Sequence, residues 1–304
     1  MQIFKNKSFR HLKRIIGFID TDPQSPTFGC ADRYYWHYKL HDFPNARFQE
    51  ACLAFAFAYN DSTHFLYKNA KLKNLLNAVI GFWLKARNRD GSVNEAYPRE
   101  HSFCATAFGL FIITETMEIL GQKEISEKYL ARLEKTGAWL GANMKHEIAN
   151  QAAASAIGLY NLGAMLDNDQ FKTEAKRRVK ILLDGFRQNG YFSEYGGFDL
   201  GYNTITMSLL AQYFRKTRDE EVYKILLAAD KKLSGYLDEN GAYDQTGMSR
   251  NTEFIYPYSF KVTKSDILDK IAKGVEQDVI LNPDGLDDRY VIGLVNDYLL
   301  TYYV

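Results

Sequence analysis

EIANQAAASAIGLYNLGAML, residues 147–166, carries one charged side chain, Glu147, and is rich in Ala and Gly. FKTEAKRRVKILLDGFR, residues 171–187, follows almost at once and carries eight charged side chains in seventeen. Apolar spacing makes both helices, but they need different surroundings. A helix apolar all round is enclosed on every side, whereas a charged amphipathic helix covers it from the solvent side. The segments 45–60, 101–120 and 202–216 resemble the first kind. The segments 66–87, 123–142 and 219–237 resemble the second.

Working outward, the spacing predicts helices over 8–19, 45–60, 66–87, 101–120, 123–142, 147–166, 168–188, 202–216, 219–237, 252–260, 263–279 and 288–302, with almost no strand alternation. The enclosed kind starts near 45, 101, 147, 202 and 252, a period of about fifty, with a last one near 288. Two helices per period and six periods describe an all-α fold. The expectation is an (α/α)6 toroid, incomplete or closed, of alternating inner and outer helices in a single domain spanning 1–304. An open solenoid would give the same alternation, so closure is read from number and length.

Composition narrows the partners. The 304 residues carry 38 Lys+Arg against 37 Asp+Glu, a net charge of +1 that argues against a non-specific nucleic-acid binder. No uninterrupted apolar run of 18 residues occurs, which argues against membrane insertion, and no apolar h-region follows the basic N-terminus, which makes the expected location cytoplasmic. Cys30, Cys52 and Cys104 form neither a disulfide framework nor a metal-ligand spacing. No metal and no cofactor is expected. Oligomeric state is not readable from the sequence.

In such a toroid the inner helices run parallel, so their N-terminal ends meet at one mouth. The segments before them concentrate Gly, Tyr, acids and amides: 32–50 with Trp36, 90–101 with Glu95, Tyr97, Glu100 and His101, 143–151 with His146, Asn150 and Gln151, 190–202 with Glu194, Tyr195 and Tyr202, and 243–253 with Arg250 and Asn251. The opposite connections, such as Asp167-Asn168-Asp169, are short polar turns. Aromatic faces beside carboxylates, amides and Arg suit a poly- or oligosaccharide substrate. His146 and Asn150 are four apart at a helix start and share a face. The helix dipole disfavours the cationic imidazole there, leaving His146 available as a base. Glu95 with Glu194 or Glu100 offers the paired carboxylates of a glycosidase. Arg250-Asn251 offers a fork for a uronate carboxylate. Lys176-Arg177-Arg178 reads as a solvated face, and Asp287-Asp288-Arg289 as the cap of the last helix.

The stretches Asp42–Glu50, Asp90–Pro98, His146–Gln151 and Ser249–Thr252, together with the repeat, resemble the heparinase II/III-like (α/α)-toroid proteins associated with bacterial capsule and exopolysaccharide genes. That resemblance implies β-elimination at a uronic acid. Arg250, Asn150 or Gln151 would neutralise the carboxylate, His146 would take the C5 proton, and Tyr202 or Tyr97 would protonate the leaving oxygen. The alternatives are a glycoside hydrolase of the same toroid class and a non-catalytic polysaccharide-binding or assembly protein. Terpene cyclases fit less well for want of an Asp-rich motif, and lanthionine synthetases for want of paired Cys and His ligands.

Overall fold

Helices alternate in kind along the whole chain, and their packing explains why. A computed structural model describes residues 1–121, 127–145 and 147–304; His146 and the first residues of the helix expected at 123–142 lie outside them. The helices are α1 (Gln2–Arg10), α2 (Leu12–Ile16), α3 (Arg33–Trp36), α4 (Cys52–Asn60), α5 (Ala70–Ala86), α6 (Phe103–Leu120), α7 (Glu127–Ala142), α8 (Ala149–Leu166), α9 (Asp169–Asn189), α10 (Leu200–Thr217), α11 (Glu220–Ser234), α12 (Tyr258–Thr263), α13 (Ile267–Glu276) and α14 (Tyr290–Tyr303). A 3-10 turn, Ala46–Ala51, leads into α4. Among the described residues there is no β-strand, only isolated bridges such as Val93–Ser102 and Glu194–Gly197 in the mouth loops.

The inner ring runs α4, α6, α8, α10, α12, α14 and back to α4, each helix touching the next. The toroid is therefore closed. Outside it, α5, α7, α9, α11 and α13 each pack on the inner helix that precedes them. The sixth outer position is filled from the other end of the chain, since α1 packs on α14 with Phe4 edge-on to Tyr298 at a 4.9 Å centroid separation. The inner helices α6 and α8 are buried along nearly all their length, which is why α8 carries no charge and α6 only Glu115 and Glu118, both near its C-terminal end. By length and composition alone α6 could span a membrane, yet most of it is buried inside the ring.

Two expected elements differ. The helix expected at 252–260 is α12, Tyr258–Thr263, because Pro257 disfavours helical backbone in the residues before it and caps the helix instead. The one expected at 8–19 begins at Gln2 and breaks at His11 into α1 and α2. One surface reading is also corrected. Arg178 is 0% exposed: its guanidinium donates to Ser155 Oγ at 2.9 Å and Asn143 O at 2.9 Å, and its Nε to Glu174 Oε1 at 2.7 Å. It ties the end of α7 to α8 just before the third mouth loop. Arg177, its neighbour, does sit outside, paired with Glu174.

Candidate active site

All six inner helices contribute the residues at or before their N-termini to one cavity of about 390 Å³. Its floor begins at Asn150, the second residue of α8. Asn150 N donates to Glu194 Oε1 and Asn150 Nδ2 to Glu194 Oε2, both at 2.8 Å. Glu194 is 0% exposed, and burial pushes its carboxyl up to about 7 despite the bonds from Asn150 and Thr206. It lies behind the floor as a clamp between the 190–199 loop and α8. Gln151 lines the cavity beside Asn150.

Asp199 organises the neighbouring wall. Its Oδ1 caps α10 by accepting from Tyr202 N at 2.9 Å, and its Oδ2 accepts from Arg250 N at 3.1 Å and Thr252 N at 3.2 Å. The 249–254 segment is thereby seated on the start of α10, so closely that a Cβ at Gly201 would lie 2.6 Å from Phe254 O. The guanidinium of Arg250 stacks 4.4 Å from the Tyr195 ring centroid and lies 6.0 Å from that of Tyr202. Among the described residues Arg250 makes no ion pair. Burial raises the Tyr202 hydroxyl well above its usual range, so it stays protonated at neutral pH.

The facing wall is ionic. Burial would raise the Glu95 carboxyl, but Arg47 and Arg289 outweigh it and hold Glu95 below the ordinary range. Arg289 Nη2 approaches Glu95 Oε1 at 3.3 Å and Arg47 Nη1 at 3.9 Å. Arg47 is paired with Glu50, donates to Cys104 Sγ at 2.9 Å and lies 4.1 Å over the Phe108 ring. Burial pushes the Cys104 thiol up to about 11, so it is no thiolate nucleophile. Glu100 Oε2 accepts from the N–H groups of Glu95, Ala96 and Tyr97 at 2.9, 2.7 and 3.3 Å and shapes that loop. His101 Nδ1 meets Asp90 Oδ2 at 2.6 Å and Ser92 Oγ at 2.9 Å, an arrangement that fixes the ring and leaves Nε2 as its unengaged nitrogen.

The cavity thus gathers Glu95, Glu100, His101, Asn150, Gln151, Tyr195, Tyr202 and Arg250 from the sequence-based candidates. Four others stand apart. Glu194 is behind the floor. Tyr97 is 70% exposed and outside the lining. Trp36 Nε1 donates to Phe18 O at 2.7 Å, anchoring its loop. The Asn251 amide donates to the Gln245 and Met248 carbonyls at 2.9 Å. His146 lies outside the described residues. Arg47, Lys145, Tyr256, Arg289 and Tyr290 also line the cavity; Arg47 and Lys145 fall in the mouth segments without being singled out, and Arg289 reads in the sequence only as part of the cap of the last helix. An Arg at the head of a nearly uncharged inner helix was the available signal for Arg47.

Two balances follow. Four cations (Arg47, Lys145, Arg250, Arg289) face two carboxylates (Glu95, Glu100) in the lining, so a chain of balanced charge opens a locally positive cleft. Strain also collects here: Arg99, His101, Tyr195 and Asn251 all hold positive φ in mouth loops.

Residues 39–259 match the ulvan lyase N-terminal domain family. The chain belongs to that family. The ulvan lyase N-terminal match takes in the inner helices α4, α6, α8 and α10, ends at the start of α12 and stops short of α14, whose N-terminal end supplies Arg289 and Tyr290. Among solved structures the chain is similar to a Paenibacillus xanthan lyase, at 12% identity and a TM-score of 0.58. That likeness is one of fold: it covers 98% of this chain and 31% of the xanthan lyase, so the chain spans about a third of that protein's length. No curated protein matches the sequence.

Proposed function

We propose that the cleft binds an acidic, uronate-containing polysaccharide and cleaves it by β-elimination. The observation that carries this is Arg250, a guanidinium stacked on Tyr195 and near Tyr202, without an ion pair among the described residues. Such a group is an open receptor for a planar carboxylate. Family membership and the toroid shared with a xanthan lyase support the same reaction class.

In this reading Arg250 neutralises the uronate carboxylate, joined by the amide of Asn150, whose second Nδ2 hydrogen is not used by Glu194. Neutralisation makes the C5 hydrogen acidic. A base removes it, the C4–C5 double bond forms, and the C4–O bond breaks. The base is a histidine: His101, oriented by Asp90, or His146, three residues before α8 in the sequence. Tyr202, held protonated by burial, gives its proton to the departing oxygen. A glycosidase would need a protonated carboxyl in the cavity. Glu95 is ionised between two arginines, Glu194 is shut behind the floor, and Glu100 is taken up in accepting from three backbone N–H groups of its own loop, so elimination is favoured.

The test is to incubate the chain with ulvan, xanthan and other uronate polysaccharides and follow ultraviolet absorbance. Elimination makes an absorbing unsaturated uronate. New reducing ends without absorbance mean hydrolysis, and binding without either means a non-catalytic assembly or recognition role.

A further inference from the structure

Below the cleft the ring axis continues into a second, mainly apolar cavity of about 40 Å³. Five residues line both spaces and form the neck between them: Arg47, Phe108, Ile205, Tyr256 and Gly293. Arg47 is already committed to Glu50, Cys104 and the Phe108 ring. The hydroxyl of Tyr256 is not committed, since it has no hydrogen-bond partner among the described residues. The hydroxyls of Tyr258 and Tyr298 also lack partners, but they are fully enclosed. Tyr256 is half-buried, and its hydroxyl stays open to the neck.

The fold holds that hydroxyl in one place. Tyr256 N donates to Thr204 Oγ on α10 at 3.0 Å, and Pro257 follows at once as the cap of α12. The Tyr256 ring packs 5.7 Å from that of Phe254. Its far end meets α14 at Gly293, where an added Cβ would lie 2.5 Å from Tyr256 Oη but 3.8 Å from Cζ. The conflict is therefore with the oxygen alone. Gly293 is the fourth residue of α14, a position where glycine weakens a helix and alanine favours it. Phenylalanine at 256 would supply the same ring and leave room for alanine at 293. The chain instead carries an unpartnered hydroxyl and a helix-weakening glycine that makes space for it. Neither helps the fold, which is the mark of a functional position. Burial raises the hydroxyl well above its usual range, so it is a donor at neutral pH.

We propose that Tyr256 is a substrate-binding residue whose hydroxyl donates to a hydroxyl oxygen of the sugar at the bottom of the cleft, and that Gly293 is the residue that positions it. This role rests on the reading of the cleft as a uronate-polysaccharide site and adds a recognition contact to it.

Binding of ulvan, xanthan and polygalacturonate to the full chain is measured by affinity electrophoresis, with melting midpoints recorded alongside. Tyr256→Phe removes the oxygen and keeps the ring. Its midpoint should stay within about 2 °C of the parent, while affinity for the bound polymer falls about 3–10-fold. Gly293→Ala should lower affinity by a similar factor in the parent and leave it unchanged in the Tyr256→Phe background, where the added Cβ meets no oxygen. Equal affinity in Tyr256→Phe and the parent would overturn the proposal, as would a Gly293→Ala loss that persists in the Tyr256→Phe background; either leaves the uronate reading standing. A parent chain that binds none of the three polymers would instead overturn the uronate reading, and the role of Tyr256 with it.

Discussion

Glu194 takes both donors of Asn150, the main-chain N and the side-chain Nδ2, at 2.8 Å each, from a position closed to solvent. A loop acid thus becomes the fixing point of an amide in the cleft floor, and the orientation of Asn150 depends on a residue the substrate cannot reach.

This placement has a pH signature. Burial holds the folded Glu194 carboxyl at about 7, above the ordinary glutamate value of about 4.3. Between those values the folded chain keeps a proton that the unfolded chain has released. The contribution of Glu194 to stability is therefore full below about pH 4 and lost as pH rises to about 7. Glu194→Gln removes this component, so urea unfolding should show a smaller loss of stability between pH 4 and 7 than in the parent. An unchanged slope would contradict the buried carboxyl.

Arg250 is exposed and makes no ion pair among the described residues, its main packing contact being the stack on the exposed Tyr195 ring, so Arg250→Ala should leave unfolding free energy within about 1 kcal/mol of the parent. Turnover of a uronate polymer should fall about 10²–10³-fold in kcat/KM. Arg250→Lys keeps the charge but not the fork or the stack on Tyr195, and should recover only part of the loss.

Proton transfer separates the two histidines. If His101 is the base, His101→Ala should lower kcat about 10²–10⁴-fold, and Asp90→Asn should lower it in the same direction by releasing the Nδ1 contact. His146→Ala should then be close to the parent. The reverse pattern assigns the base to His146. Loss in neither would remove histidine from the mechanism.

Arg178→Met should destabilise the fold by about 3–5 kcal/mol, because Glu174, the Asn143 carbonyl and Ser155 lose a buried partner. Arg177→Met, one residue away on the solvent side, should stay within about 0.5 kcal/mol. Chemical denaturation of the two variants checks the contrast.

The toroid was legible because burial leaves a compositional mark: α8 has no charge and α9 is crowded with it, a contrast set by two environments rather than by any single residue. The mouth was legible for the same reason, as Gly, Tyr and acids gathered before each inner helix. Individual roles were not, because they depend on which way a side chain turns. Glu194 and Glu95 look alike in sequence, both acids in Gly-flanked loops. One is sealed behind Asn150, and the other is held ionised by Arg47 and Arg289 from distant segments. Arg178 sits in a charged run and turns inward, where α7 ends beneath it. Asp199 has the local signal of a helix cap, but its second oxygen binds a loop fifty residues on, which no local pattern reports.

Elimination and hydrolysis differ in the fate of water, and the product records it. Digesting a uronate polysaccharide in heavy-oxygen water and weighing the oligosaccharides by mass spectrometry tests the central claim most directly. Elimination predicts fragments lighter by one water than hydrolytic ones, with no heavy oxygen gained at cleavage and with their formation slowed about 10²–10³-fold in Arg250→Ala. Saturated fragments that gain one heavy oxygen per cleavage, at the new reducing end, would contradict it.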